Sequence, residues 1–382
     1  LAINQHLLVK RAIYEQIIKN LFKGKAIIIT GPRQVGKTTL LQAIMKESKS
    51  KVLYLNCDEP DIRPMLENAS STSLKALIGD NALILIDEAQ RVKNIGLTLK
   101  LLVDNFKEIQ IIATGSSALE LANEINEPLT GRKREYHLYP FSTAEMTANT
   151  SVLQETRLLE QRMIYGFYPD IVNSPAEAQA NLLDLGNNYL YKDVLSLQDV
   201  RKPALLERLL VVLALQIGNE ISYTEIGQTI GTDNKTIDRY VELLEKCFVV
   251  FQLGGFSRNL RNEIKKGKKI YFYDNGIRNA IIKNFSPLSL RQDIGALWEN
   301  FLVSERKKAN HYANHYVNSY FWRTHQQQEI DMIEETGGKL YAWEFKWNEK
   351  AKVKIPASFL EAYPGSITGT VNRQNYMDFL NF

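Results

Sequence analysis

Cysteine is nearly absent: Cys57 and Cys247 are the two in 382 residues. A disulfide framework is therefore excluded, and a reducing, cytoplasmic setting is the simplest expectation. Long apolar runs are missing as well. Ala82–Ile86 and Ile109–Ala113 have strand length, well short of the ~18–20 residues of a membrane span. The opening residues hold no apolar leader segment, so no signal peptide is expected. An excess of one charge is also lacking. Against 47 Lys and Arg stand 43 Asp and Glu, a balance that does not by itself call for nucleic acid. No internal repeat or low-complexity tract is visible, and the five histidines show no zinc-type spacing. What remains is an ordinary globular composition with room for ~2–3 domains.

The first part of the chain alternates strand and helix patterns. Ala26–Thr30, Val52–Asn56, Leu83–Ile86 and Gln110–Thr114 are apolar and β-rich, with Tyr136–Tyr139 as a candidate fifth strand. Helical patterns cover Leu7–Leu21, Thr38–Glu47, Asp61–Leu66, Ser71–Leu77 and Leu97–Asn105. Such alternation predicts an α/β fold with a parallel sheet covered on both faces. After Pro140 the pattern turns helical, with Leu153–Tyr165 and Ala176–Tyr191 as helices of a small lid. Leu205–Leu215, Ser222–Ile230 and Asp233–Lys246, followed by strand-like Phe248–Leu253, read as a winged helix-turn-helix. From Gly295 one helix precedes aromatic-rich strands with a hairpin turn at Gly337-Gly338. The expected domains are residues 1–145, 146–202, 203–275 and 276–382.

Gly31-Pro32-Arg33-Gln34-Val35-Gly36-Lys37-Thr38-Thr39 satisfies the phosphate-loop pattern between a strand and a helix. Glycines let the backbone wrap around phosphates, while amide groups and the helix N-terminus favour negative charge. Lys37 would reach the terminal phosphates of ATP and Thr38 would ligate Mg2+. Leu83–Asp87-Glu88 ends an apolar strand in two acids. Asp87 would hold Mg2+ through water, and Glu88 would polarise the attacking water. An acid beside the metal acid points to hydrolysis. Ser116, at the end of the fourth strand, would sense the γ-phosphate or simply cap the next helix. Arg132 is a candidate arginine finger for a neighbouring subunit's nucleotide, or else a surface arginine.

The last ~90 residues hold a second constellation, Glu299, Asp331, Glu344 and Lys346. Period two places Glu344 and Lys346 on one strand face, and the hairpin would set Asp331 beside Glu344. Two carboxylates can hold Mg2+ or Mn2+ by oxygen, and Lys346 can orient water or steady phosphate charge. The alternative is a ladder of charges on a solvated sheet face. In the helix-turn-helix, Lys235 and Arg239 can meet phosphates or bases. The run Arg258, Arg261, Lys265, Lys266, Lys268 and Lys269 can track a DNA backbone. A solvated basic loop is the plainer reading of that run.

Residues 31–40, 83–90, 112–118 and 130–145 together resemble AAA-type ATPases of bacteria and archaea that carry a nuclease-like C-terminal domain of uncharacterised function. Tyr240–Phe251 followed by Ile270–Gly276 is similar to that family's winged-helix region. The constellation Asp331, Glu344 and Lys346 resembles a PD-(D/E)xK nuclease site, which would make Glu299 its helical acid. The resemblance implies an AAA+ core of additional-strand type and homo-oligomers, ring-like and often hexameric. The combined expectation is an ATPase that acts on DNA in a structure-selective way, with metal-dependent cleavage at the second site. The rival readings are a remodelling or branch-migration motor with a non-cleaving nuclease-like domain, a nucleotide-driven signalling switch, and a protein-interaction scaffold in a defence or mobile-element system.

Overall fold

Three of the apolar runs become strands buried at every position: β1 (Ala26–Thr30), β3 (Leu83–Asp87) and β4 (Gln110–Gly115). In the computed structural model, which describes residues 9–116, 129–186, 202–258, 267–351 and 353–380, they pair in parallel with β2 (Val52–Asn56) and β5 (Lys133–His137). Burial at every residue is what a central strand of a parallel sheet requires, since helices cover both faces. The order is β2-β3-β4-β1-β5. β4 thus lies between β1 and β3, the additional strand that the resemblance implies. β5 begins three residues earlier than its apolar part predicts. Lys133, Arg134 and Glu135 do not read as strand, yet β5 is the sheet edge, where charged side chains are at home and block further pairing.

The chain divides into two compact units, one of Leu8–Pro140 with Lys246–Phe248, the other of Phe141–Glu245 with Val249–Phe382. The second unit is built on a seven-stranded mixed sheet. Its strands are β6 (Glu220–Ile221), β7 (Val250–Gly255), β8 (Lys268–Phe272), β9 (Asn318–Arg323), β10 (Glu329–Thr336), β11 (Lys339–Phe345) and β12 (Ile367–Val371). Their order is β12-β11-β10-β9-β7-β8-β6. β6 follows the helix Pro203–Leu215, β7 and β8 follow the helices Tyr223–Ile230 and Asn234–Lys246, and the three strands form an antiparallel set. A parallel pairing of Gly254 with Tyr320 and Gly255 with Phe321 joins that set to the C-terminal strands. The hairpin turn forms as expected: Gly337 and Gly338 have φ of 56° and 73°, and Thr336 pairs with Lys339. Two consecutive positive φ angles are what a tight hairpin needs and what glycine supplies without strain.

Some expected helices differ. Leu7–Leu21 shrinks to Tyr14–Lys19 in its described part. Leu153–Tyr165 splits into Val152–Arg157 and Leu159–Tyr165. The C-terminal part of Ala176–Tyr191 lies outside the described residues, and Ala178–Leu185 is helical.

Buried polar side chains bind the helices of the second unit to its sheet. Asp274 caps the helix Asn275–Ile281 and also accepts a 2.7 Å hydrogen bond from Phe167 N. Asn300 accepts from Phe272 N and donates to Phe272 O, at 2.7 and 3.0 Å. Glu305 accepts from Thr143 N at 2.6 Å and pairs with buried Lys308. Arg278 and Arg291, both buried, converge on Asp293 at 2.5 and 2.8 Å. Burial alone would raise the Asp293 pKa, but the two guanidinium groups hold it down at about 2. A depressed carboxylate stabilises the fold above its unfolded pKa, and that stabilisation fades as pH falls through the folded value. Asp293→Asn should therefore cost about 2 kcal/mol or more at neutral pH. In urea melts of the two proteins, the gap should narrow from pH 4 downward. A gap that stays constant would remove the ion pair as its cause.

Candidate nucleotide site and acidic cluster

The phosphate loop has the backbone its sequence requires. Gln34 and Gly36 adopt left-handed φ of 60° and 92°, turning the loop back before the helix Lys37–Glu47. At Gly31 the constraint is space: a Cβ there would lie 2.0 Å from Leu138 O. Val35 is fully buried, whereas Thr38 and Thr39 remain exposed at the first helical turn. Lys37 is folded over the loop, its Nζ donating to Gly31 O and Pro32 O at 2.9 Å each. Arg11, which the sequence reading passed over, braces the loop. Its guanidinium donates to Val35 O at 2.5 Å and to Tyr139 O at 2.6 Å. Arg11 stands beside Lys10 in a mixed polar and apolar segment, so the sequence carried no signal that singled it out.

The acid pair sits at the carboxyl end of β3, next to the loop. Asp87 is 2% exposed and accepts from Thr38 Oγ1 at 2.7 Å, from Tyr54 OH at 2.9 Å, and from the Thr114 hydroxyl. The Thr38 hydroxyl and an Asp87 oxygen thus share one point, as oxygen ligands of a magnesium ion should. The residues fit that ion, which when bound would neutralise phosphate charge. Burial, and then the neighbouring Asp87 charge, pushes the Cys57 thiol up to about 12 and so keeps it unreactive. Glu88 takes a left-handed φ of 52°, and its N–H donates to Thr114 Oγ1 at 3.1 Å. A side chain that the sequence reading missed joins the remaining pieces. Gln90 Nε2 donates both to Glu88 Oε2 and, at 2.9 Å, to Ser116 Oγ. The structure thus brings Glu88 and Ser116 onto one amide, and the signal was the Gln two residues after the acid pair.

Arg132 is placed differently. It pairs with Asp104 at 2.7 Å, just before β5 and at the end of the sheet opposite the phosphate loop. It does not serve the nucleotide site of its own subunit.

In the second unit, Asp331 and Glu344 do come together. Asp331 Oδ2 accepts from Phe345 N at 2.7 Å, and Lys346 Nζ lies 2.9 Å from Glu344 and 3.6 Å from Asp331. Glu299, on the helix Ile294–Tyr312, accepts from Tyr271 OH at 2.6 Å and pairs with Lys269 at 2.9 Å. Burial first, and then the charge on Asp331, raises both the Glu299 and Glu344 pKa values, that of Glu299 to about 7. Among the described residues, no three or more His, Cys, Asp or Glu form a group able to hold a metal ion. The carboxylate oxygens that a divalent ion would need are turned on the ammonium groups of Lys269 and Lys346 instead. The residues therefore do not fit a divalent ion as they stand.

The basic residues also separate. Lys235 and Arg239 are exposed on the helix Asn234–Lys246, Arg239 against the Tyr240 ring. Lys268 lies over the Tyr223 ring at 5.4 Å and borders an open cleft of about 440 Å³ with Lys235 and Asn234. Arg258 lies 5.7 Å from the Tyr363 ring centre. Arg261, Lys265 and Lys266 lie outside the described residues. Lys269 corrects the expectation. It is 1% exposed and bound to Glu299 and Glu329, so it cannot follow a DNA backbone. Alternation along β8 explains this: Lys268 faces out, so Lys269 faces in.

Comparison with known proteins agrees with the first unit's geometry. Residues 23–147 match the model of an AAA domain; residues 156–288 and 294–376 match two domains of unknown function, DUF8612 and DUF4143. An uncharacterized protein of Mycobacterium tuberculosis, Rv2008c, is 26% identical over 346 residues, covering 89% of this chain and 74% of that protein. The uncharacterized protein MJ1637 of Methanocaldococcus jannaschii is 26% identical over 300 residues, covering 68% of this chain and 63% of its own. Among solved structures, the Aeropyrum pernix ORC1 protein in complex with DNA aligns at TM-score 0.36 and 12% identity, over 74% of this chain and 94% of that one. The Aeropyrum pernix ORC2 protein in its ADP form aligns at 0.36 and 14%, over 74% and 96%. No helix among the described residues is long and apolar enough to cross a membrane. The phosphate loop and the Asp87 centre thus lie within the segment of the chain that is similar to an AAA domain, a P-loop type of ATPase domain.

Proposed function

We propose that the chain hydrolyses ATP and uses the cycle to act on DNA through its second unit, without cutting it. The observation that carries the ATPase half is the unbroken hydrogen-bonded path from Thr38 through Asp87 and Thr114 to Glu88, and on through Gln90 to Ser116. In this reading Lys37 and the loop amides hold phosphate, Thr38 and Asp87 hold Mg2+, and Glu88 takes a proton from the attacking water. Ser116 reports the γ-phosphate to Glu88 through Gln90. Arg132, turned away from its own site, serves a neighbouring subunit in a homo-oligomer.

The DNA half rests on the helix, strand and wing order of residues 203–275, read as a winged helix, with Lys235 and Lys268 on one cleft beside Asp238 and with Arg239 exposed on the same helix as Lys235. Asp238 and Glu242 share that helix, so backbone or shape recognition fits better than base reading. The remaining divisions proposed are the lid at 146–202 and a nuclease-like fold at 276–382. Lysines on the carboxylates favour the non-cleaving form of that fold over cleavage by Asp331, Glu344 and Lys346. Steady-state ATP hydrolysis with Mg2+ should rise several-fold with one of single-stranded, duplex, forked or four-way-junction DNA. The recovered DNA should run intact on a gel. A flat response to every form would end the DNA assignment and leave the ATPase standing.

A further inference from the structure

A buried ammonium group stands where the C-terminal sequence pattern leads one to expect a divalent ion. Lys269 Nζ lies 2.9 Å from Glu299 Oε1 and 2.5 Å from Glu329 Oε1, and the side chain is 1% exposed. Tyr271 OH donates to the same Glu299 oxygen at 2.6 Å. Lys346 spans Glu344 and Asp331, whose Oδ2 also accepts from Phe345 N. Arg323 approaches the other Glu329 oxygen at 3.7 Å. Each of the four carboxylates therefore already has a cationic partner, and Glu299 and Asp331 have a further hydrogen-bond donor.

Divalent ions of the magnesium kind need several oxygen lone pairs turned on one point. Here those lone pairs are turned on ammonium protons. Lys269 holds one pair of these carboxylates and Lys346 the other. Lys269 cannot swing aside at small cost, because Glu299 would be left without its cationic partner in a largely buried place.

We propose that Lys269 and Lys346 are the resident cations of this cluster, filling the place of a metal, so that the site takes up no divalent ion. The inference deepens the non-cleaving reading above. It depends on where these side chains lie and not on whether DNA binds. The cluster then acts as a fastener: Lys269 ties β8, which also carries the part-exposed Lys268, to the helix Ile294–Tyr312 through Glu299.

Mn2+ uptake by the nucleotide-free full chain, read by electron paramagnetic resonance of the free ion, tests this. Any ion at the ATPase centre is common to all variants and cancels in the comparison. Wild type, Glu344→Gln and Glu299→Gln should take up the same amount of Mn2+ at millimolar concentration. One more equivalent in wild type than in either variant would overturn the proposal. Lys346→Met, at a part-exposed position, should tighten Mn2+ uptake by about tenfold or more, and adding Glu344→Gln should abolish that gain. No gain in folded Lys346→Met would overturn the exclusion by lysine. If that variant does not fold, the wild-type comparison still decides. A DNA-independent ATPase with this metal behaviour would sink the DNA reading and leave the present one intact.

Discussion

Lys37→Ala is expected to weaken ATP binding by about a hundredfold or more, roughly 3 kcal/mol, and to bring turnover below detection. Without nucleotide, the Lys37 ammonium is satisfied by Gly31 O and Pro32 O at 2.9 Å, on the inner side of the loop. Binding exchanges these carbonyls for phosphate oxygens, and charge-assisted bonds of that kind each contribute about 1.5–3 kcal/mol. Alanine removes the charge and leaves two loop carbonyls short of a donor. Titration with a fluorescent ATP analogue measures the loss, and a thermal melt of the same sample separates it from unfolding. Unchanged nucleotide affinity in a folded variant would remove the phosphate-loop assignment.

Glu88→Gln should behave in the opposite way toward the ground state. ATP binding should stay near wild type, because phosphate and metal contacts belong to Lys37, Thr38 and Asp87. Hydrolysis should fall by about a hundredfold or more, the usual contribution of a positioned general base. Phosphate release under single-turnover conditions reads this directly. Gln90→Ala is the informative companion, since Gln90 holds Glu88 and Ser116 on one amide. If Glu88→Gln hydrolyses ATP at the wild-type rate, the base must lie elsewhere.

The ATPase centre was legible because its chemistry is local in sequence. The loop, the acid pair and the serine each sit at the end of an apolar strand, and strands of a parallel sheet present those ends together. What stayed hidden came from side chains far apart in sequence. Arg11 reaches Val35 and Tyr139, 24 and 128 residues away. Tyr54 reaches Asp87 across neighbouring strands. Periodicity cannot report such pairs.

The acidic cluster shows the same limit from the other side. Glu344, Lys346 and Asp331 were placed by strand alternation and by the hairpin at Gly337-Gly338, and both hold. Lys269 belonged by composition to a basic run, and no spacing within that run tells which lysine turns inward. The decision is made by β8 pairing with β7, which sets one face of β8 against Glu299.

The β7–β9 pairing carries a consequence for how this protein can be taken apart. Residues 203–275 look separable by sequence, as a helix-turn-helix module with its own wing. Yet their strand β7 is an interior strand of a sheet completed by β9, and through β9 by β10 to β12. Cutting the chain before the helix Ile294–Tyr312 would remove the partners of Gly254 and Gly255 and bare that end of β7 as an edge, the kind that recruits foreign strands. It would also strip Glu299 from Lys269, leaving an ammonium in an apolar wall. The module and the C-terminal strands therefore share one sheet. Neither part can be removed without unpairing the seam of Gly254 and Gly255 with Tyr320 and Phe321.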